Sequence, residues 1–221
     1  MDSKELEELK PPIPQLTVPL ASRDADVIKK LSNDDAEENL GMKVQPDGCN
    51  IRHLEALKDK VETWMSKVDV SQLPARAVWQ SYPQQLWTSI KYGLGAYSES
   101  LEELENGLGT TDFYLTSRLG VVRSIPKQLR HLPHQYCGME LLNLPIETTA
   151  TQVNCLLQHY VTARALGHTM MGALEHMQLK IGVKGCPLGY RFQKYCCLAT
   201  NTWAKFLWEK TQAFKIDVAL D

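Results

Sequence analysis

The sequence lacks any apolar run close to the roughly 18 to 20 residues that a membrane-spanning helix needs. Its beginning, MDSKELEELKPP, is acidic and polar, unlike a signal peptide or a basic transit peptide. We therefore expect an intracellular protein of the cytoplasm or nucleus that is not secreted and has no membrane partner. A content of 43% hydrophobic and 23% charged residues is typical of a globular domain and excludes general disorder.

Motifs for nucleotide, metal or disulfide chemistry are scarce. The six cysteines are irregularly spaced and contain no CxxC pair, so we expect reduced thiols rather than a disulfide framework. The glycine-rich stretch GLGAYSES lacks the Walker pattern, and it lacks the strand and helix that flank a phosphate loop. The sequence therefore predicts no cofactor.

Two clusters have the residue types of metal ligands without their spacing. Asp34 and Asp35 are paired carboxylates, but they lie in an acidic run typical of a solvated helix start. His131, His134 and Cys137 are weak zinc candidates, because a structural site needs four ligands and no second cluster has matching spacing. A cysteine nearer the C-terminus would have to complete that site. Loop histidines that bind no metal are the simpler interpretation.

Acidic residues are absent between Phe113 and Met139, and cations recur in that stretch. These cations are Arg118, Arg123, Lys127 and Arg130. The half of the chain that ends at Asp112 is net negative, and the half that follows is net positive. A basic stretch with this spacing suits contact with the phosphates of an RNA–DNA or DNA duplex. The alternative is that the two halves of the chain neutralise each other.

Apolar residues recur at three- and four-residue spacings through most of the chain, which predicts a mainly α protein. Trp64, Trp79 and Trp87 fall on the apolar faces, so we expect them in the core. Pro83 should kink or divide its helix, and Gly167 should end one helix before the next begins. The predicted helices span approximately residues 50–68, 74–92, 101–108, 112–118, 149–166, 168–181 and 201–214.

One stretch, LGMKVQPDGCN (residues 40–50), alternates apolar and polar side chains and then has a Pro-Asp-Gly turn. This pattern predicts a strand that runs into a tight turn, a small β-hairpin ahead of the helices. No neighbouring sheet is evident for such a strand. We therefore expect residues 40–44 to be weakly ordered or to pair only with QLTVPL (residues 15–20).

Four segments follow one another in a characteristic order. They are NLGMKVQPDGCNIRHLEALKDKVETWMSKV, LPARAVWQSYPQQLWTSIKYGLGAYSESLEEL, LTSRLGVVRSIPKQLRHLPHQYCGMELLNLPIETTATQVNCLLQHY and GALEHMQLKIG. Their order and spacing resemble the region that follows the palm in reverse transcriptases of retrotransposable elements. That region has an LG strand with a DG turn, two helices, an Arg-x-x-Pro segment, a glycine loop and an LLQH-type helix. The resemblance covers about residues 16 to 182.

The resemblance implies a primer grip and a thumb. The primer-grip-like residues would be Leu40, Gly41, Met42, Asp47 and Gly48. The helices after Asn50 would form the thumb, which holds a template–primer duplex by its backbone. The segment Arg118–Pro126 and the loop around Gly138 would extend that thumb. The other implied partner is the fingers and palm part of a polymerase.

The chain departs from the family pattern in ways that bear on activity. It contains no aromatic-x-Asp-Asp hairpin, so the carboxylates that bind the catalytic metals are missing. Pro83 interrupts a helix that is usually continuous, and Gly138 is the one glycine left of a usual pair. We therefore expect a fragment or relic that does not catalyse nucleotide addition by itself. The alternative is a helical protein-interaction domain with no nucleic-acid role.

The expected architecture is a helical, thumb-like bundle with one small N-terminal β-hairpin. Its predicted parts are a flexible arm (1–15), a primer-grip-like hairpin segment (16–48), a helical thumb-like domain (49–117), a basic loop-rich connector (118–147) and a C-terminal helical region (148–221).

Overall fold

A computed structural model of the protein describes residues 17–18, 26–27, 37–39, 42–44, 51–107, 109–162, 165–218 and 220. Helices dominate these ranges, so the predicted mainly α class is confirmed. No helix in the described ranges is both long enough and apolar enough to cross a bilayer. The likeness of the bundle to a polymerase thumb stays a prediction.

The helices follow the predicted order with shifted boundaries. The α-helices of the described ranges are α1 (Ile51–Ser71), α2 (Ala75–Ser81), α3 (Thr88–Lys91), α4 (Leu101–Gly107), α5 (Gly109–Arg118), α6 (Lys127–His131), α7 (Leu144–Thr162), α8 (Ala165–Ile181), α9 (Phe192–Tyr195) and α10 (Trp203–Ala213). Single 3₁₀ turns occur at Leu94–Ala96, His134–Tyr136 and Pro187–Gly189. Helices α6 and α9 were not predicted.

Short strands precede the helices. They are β1 (Thr17–Val18), β2 (Asp26–Val27), β3 (Glu37–Asn39) and β4 (Met42–Val44). Strand β4 pairs antiparallel with β3, and β1 pairs with β2. This pairing is not the one expected with residues 15–20, and the other expectation for residues 40–44, weak order, stays a prediction. Leu40, Gly41, Asp47 and Gly48 lie outside the described residues, as do Asp34 and Asp35. The primer-grip-like hairpin therefore stays a prediction.

The first hydrophobic cluster forms where α1 packs against the following helices. Leu57, Val61, Trp64 and Val68 lie on one face of α1 and are almost fully buried. Each such side chain contributes about 1.5 to 3 kcal/mol through removal of apolar surface from water. Trp87 is buried in the same cluster and Trp79 is partly buried against it. The prediction that these tryptophans belong to the core is confirmed.

Pro83 divides its helix, as its missing N–H requires. A π-helical segment, Tyr82–Trp87, lies between α2 and α3. A wider turn of this kind accommodates the backbone donor that proline lacks. Leu86 and Trp87 of that segment stay buried, so the apolar face is continuous across the interruption.

The second hydrophobic cluster joins α7, α8 and α10. Leu156, Leu174 and Trp208 are among its fully buried members. The prediction that Gly167 ends a helix is wrong, because α8 begins at Ala165 and contains it. A Cβ at Gly167 would lie 2.3 Å from the carbonyl oxygen of His159, so the glycine permits close approach of two helices.

Residues 95–99 connect the two clusters by hydrogen bonds and ring contacts. The ring of Tyr97 packs edge-on against His53 of α1 at a centroid distance of 4.8 Å. The side chain of Gln152 in α7 donates to the Tyr97 carbonyl at 2.6 Å, and the Trp203 indole of α10 donates to the Gly95 carbonyl at 2.9 Å. Helices α1, α7 and α10, which are far apart in the sequence, therefore all contact this one short segment.

Candidate functional site

The predicted basic connector has a defined structure rather than an open loop. The backbone N–H groups of Met139 and Leu141 donate to the carbonyls of Leu129 and Arg130, at 2.9 and 2.8 Å. Cys137 and Glu140 adopt positive φ angles of 59° and 55°, which turn the chain back onto α6. The connector is thus a short helix with the following strand-like segment folded across it.

Gly138 lies at the closest point of this fold. A Cβ on this residue would be 2.0 Å from the carbonyl oxygen of Leu132, a distance that no side chain tolerates. The carbonyl of Gly138 also hydrogen-bonds the Nδ1 atom of His134 at 2.9 Å. Glycine is therefore required at the position that the resemblance assigns to a glycine loop.

Arg130 is the most deeply placed of the four predicted phosphate-binding cations, with a side chain 11% exposed. Its Nε donates to the carbonyl of Ile125 at 3.2 Å. Its guanidinium stacks over the Phe113 ring at 4.6 Å and lies 3.9 Å from the carboxylate of Asp112. These contacts occupy Arg130 inside the protein, so its charge is not available to a phosphate without rearrangement.

Arg118 and Lys127 also have acidic partners. Arg118 forms an ion pair with Asp69 of α1, and Lys127 lies 3.3 Å from Glu105 of α4. Both pairs are partly exposed, so each contributes little to stability. They nevertheless link the basic connector to the acidic half of the chain.

Arg123 differs from the other three. Its side chain is exposed and donates to the Ser117 hydroxyl at 3.2 Å. No carboxylate of the described residues lies within ion-pair distance of it. Three of the four predicted phosphate ligands are therefore neutralised internally, as the alternative based on charge balance between the halves predicts.

His131, the last residue of α6, links the connector to α5. Its Nδ1 lies 2.8 Å from the Leu141 carbonyl and its Nε2 lies 3.3 Å from the Asp112 carboxylate. Since both partners only accept hydrogen bonds, the two contacts together require the doubly protonated ring. The hydrogen bond with Asp112 raises the pKa of His131, whereas burial and the nearby charge of Lys127 oppose that shift.

The weak zinc candidates do not converge. His131 is held by Asp112 and Leu141, and the Nε2 of His134 lies 3.4 Å from Glu140. Cys137 is exposed and carries a free thiol. Within the described ranges, no group of three or more His, Cys, Asp or Glu side chains could hold a metal ion.

A cleft of about 210 Å³ lies between the connector and helices α4 and α5. Its charged lining residues are of both signs: Glu105, Asp112, Lys127, Arg130 and His131. The ionised groups of such a cleft pair with one another. The cleft therefore does not favour an anionic ligand over a cationic one.

The most buried charges lie elsewhere, between residues 95–99 and α10. Lys210 is fully buried, and its Nζ donates to the Glu99 carbonyl at 3.4 Å. Burial lowers the pKa of Lys210 to about 8 and raises that of Glu99 to about 7, although each charge favours the ionised form of the other. Neither side chain reaches solvent, so a ligand has no access to the pair and its role is structural.

A second acid-free stretch was not singled out by the sequence analysis. No acidic residue occurs between Glu175 and Glu209, and cations recur throughout that interval. These cations are Lys180, Lys184, Arg191, Lys194 and Lys205. No ion pair to any of them is present among the described residues, in contrast to the connector. The same acid-free pattern could have identified this stretch from the sequence.

Comparisons with protein-family models, with curated proteins and with solved structures found no match to the chain. The class that the structure itself defines is a mainly α-helical protein with two hydrophobic clusters and an ordered basic connector.

Proposed function

We propose that the chain is the region that follows the palm in a reverse transcriptase of a retrotransposable element. Its role would be that of a helical domain beside the template–primer duplex. The aromatic-x-Asp-Asp carboxylates are not among its residues. Nucleotide addition would therefore need the fingers and palm part of a polymerase.

One observation carries the proposal: the Arg-x-x-Pro segment and the glycine loop named by the resemblance both contact α6 and its C-terminal end, which lie between them. Arg130 donates to Ile125 within the segment that contains the Arg-x-x-Pro motif, and Gly138 packs against the Leu132 carbonyl. Leu141 leads from that loop directly into α7, which contains the LLQH sequence. Motifs that keep a common order in a family and contact each other in space are expected to form one structural unit.

The internal ion pairs change how this domain would work. Because Arg118, Lys127 and Arg130 have acidic partners, the connector would act mainly as a scaffold that orients the helices. Duplex contact would then be weak in the isolated chain. It would depend on backbone phosphates and fall steeply with salt.

A salt series of binding measurements tests the proposal. Fluorescence anisotropy would compare a labelled RNA–DNA hybrid with a DNA duplex of the same sequence, from about 20 to 200 mM salt. We expect the hybrid to bind at low salt, with an affinity that decreases as salt increases. No detectable hybrid binding at the lowest salt would overturn the duplex-holding role.

A helical protein-interaction domain with no nucleic-acid role is the second candidate. The observation that favours it is the pairing of three connector cations with carboxylates of the acidic half. It predicts that neither the hybrid nor the DNA duplex binds at any salt concentration. The same titration therefore separates the two functions.

A further inference from the structure

The segment between α8 and α10 brings cations and tyrosines together on a rigid backbone. The 3₁₀ turn Pro187–Gly189 is followed by Tyr190, whose carbonyl accepts a hydrogen bond from the buried Trp208 indole at 2.7 Å. The N–H of Cys196 donates to Phe192 at 2.8 Å and closes the short helix α9. These contacts hold the segment against the second hydrophobic cluster.

Two tyrosine rings lie at the centre of the segment. Tyr190 and Tyr195 are in edge-to-face contact with a centroid distance of 6.3 Å, and both are only partly buried. Aromatic rings that are fixed by packing and remain partly exposed can stack on nucleobases at little entropic cost. The pair is therefore a potential stacking platform.

Three cations lie close to these rings in the sequence, and the structure places one of them over a ring. The ammonium of Lys194 lies 4.9 Å from the centre of the Tyr195 ring. Gly185 lies beside the Tyr190 hydroxyl, and the Gln178 side chain holds the adjacent Lys184 carbonyl at 2.9 Å. Arg191 is exposed and follows Tyr190 directly. In the described residues no carboxylate lies within ion-pair distance of these cations.

We propose that Lys184, Tyr190, Arg191, Lys194 and Tyr195, the C-terminal basic surface, bind single-stranded nucleic acid. Unpaired cations neutralise phosphates at no cost in broken ion pairs, and the tyrosines supply stacking faces that a duplex would leave unused. The inference does not rest on the proposed reverse-transcriptase function. It concerns another part of the chain and another form of nucleic acid.

The test uses the full chain and a fluorescein-labelled oligodeoxythymidine or oligouridine. Anisotropy would be measured over a salt series for the wild type and for two matched double variants. Arg191→Gln with Lys194→Gln removes one arginine and one lysine from the surface. Arg76→Gln with Lys67→Gln removes the same two kinds of charge from exposed positions of α2 and α1, so the change in net charge is identical.

We expect the surface variant to lose affinity by about tenfold or more at low salt. We also expect its salt slope to become shallower by about 1.4, because two phosphate contacts to a single strand are lost. This control variant should change affinity by less than about twofold, as non-contacting charges do. Equal losses in the two variants, or no salt-dependent binding by the wild type, would overturn the proposal.

Stacking is tested separately with Tyr195→Leu and Tyr195→Phe. Leucine should reduce affinity by about fivefold or more without changing the salt slope, whereas phenylalanine should retain the wild-type affinity. Melting curves establish that both variants are folded. Equal affinity of Tyr195→Leu and wild type would contradict the platform.

Vesicles that contain phosphatidylserine test the competing partner class. We expect them to compete weakly with the oligonucleotide. Vesicle binding that is as tight as oligonucleotide binding, and equally sensitive to Arg191→Gln with Lys194→Gln, would assign the surface to anionic membranes instead. Failure of hybrid binding with intact oligonucleotide binding would contradict the proposed polymerase role alone. The converse result would contradict the single-strand proposal alone.

Discussion

Two acid-poor regions of this chain contain the same kinds of cations and use them differently. In the connector, Arg118, Lys127 and Arg130 are paired with carboxylates of earlier helices. In the C-terminal basic surface, Arg191 and Lys194 have no such partner among the described residues. An acid-free stretch of sequence therefore does not by itself define a phosphate-binding surface. The charges brought opposite by the fold decide whether its cations are available.

The largest effect that we expect concerns the glycines of the two regions. Gly138→Ala should lower the free energy of unfolding by about 3 kcal/mol, because its Cβ would collide with the Leu132 carbonyl. Gly189→Ala is the matched control in the C-terminal region, since nothing lies within 4 Å of its Cβ position. Urea denaturation measures both. Equal destabilisation would show that the connector is not constrained as described.

Loss of a buried cation should have the next largest effect. Arg130→Met should cost about 2 kcal/mol of stability, because it leaves Asp112 without its guanidinium partner and removes the bond to Ile125. The exposed Arg191→Met should change stability by less than about 0.5 kcal/mol. Similar losses in the two unfolding experiments would remove the distinction between the regions.

The pH dependence of stability provides the next test. The hydrogen bond with Asp112 raises the folded-state pKa of His131. The stability that protonated His131 contributes is therefore fully present below its unfolded-state pKa of 6.5. That contribution is lost as pH rises through the higher folded pKa. We therefore expect the wild type to lose stability relative to His131→Gln as the pH rises from 6.5.

Urea titrations across that pH range measure the difference between the two proteins. His176→Gln, at an exposed position of α8, is the control for replacing a histidine by glutamine. Asp112 and Lys127 are the charged groups whose effects on His131 enter the shift. Parallel pH profiles for wild type and His131→Gln would contradict a stabilising imidazolium at this position.

The smallest expected effect is the coupling between Lys127 and Glu105. Both side chains are about half exposed, at 53% and 47%, so solvent screens their attraction. A double-mutant cycle of the two alanine variants should give a coupling of about 0.3 kcal/mol. A coupling above about 1 kcal/mol would mean that the connector is held by this ion pair more firmly than its exposure indicates.

Local patterns predicted most of the helical architecture. The three- and four-residue spacing located α1, α7, α8 and α10 within a few residues, because those helices bury one face. Pro83 signalled an interruption because it has no N–H to donate, whatever its surroundings. The tryptophans were placed correctly in the core because they fall on the same apolar faces that indicated the helices.

Predictions that depended on distant residues fared less well. Gly167 was expected to end a helix, although its function is to let α8 approach the carbonyl of His159. Helix α6 was expected to be loop. It forms because contacts with the segment at residues 139–141 stabilise its few residues. Each partner lies about eight to eleven residues away, beyond the three- and four-residue spacings that indicate a helix, so those spacings could not indicate it.

The helical class, the division at Pro83 and the acid-free distribution of cations can all be derived from the amino-acid sequence. These properties follow from backbone chemistry, side-chain periodicity and composition, which act over a few neighbouring residues. Only the tertiary structure decided which cations are paired, because Asp69, Glu105 and Asp112 approach the connector through helix packing. It likewise left Arg191 and Lys194 without an ion pair among the described residues, beside two tyrosines, since ion-pair distances are set by the packed fold.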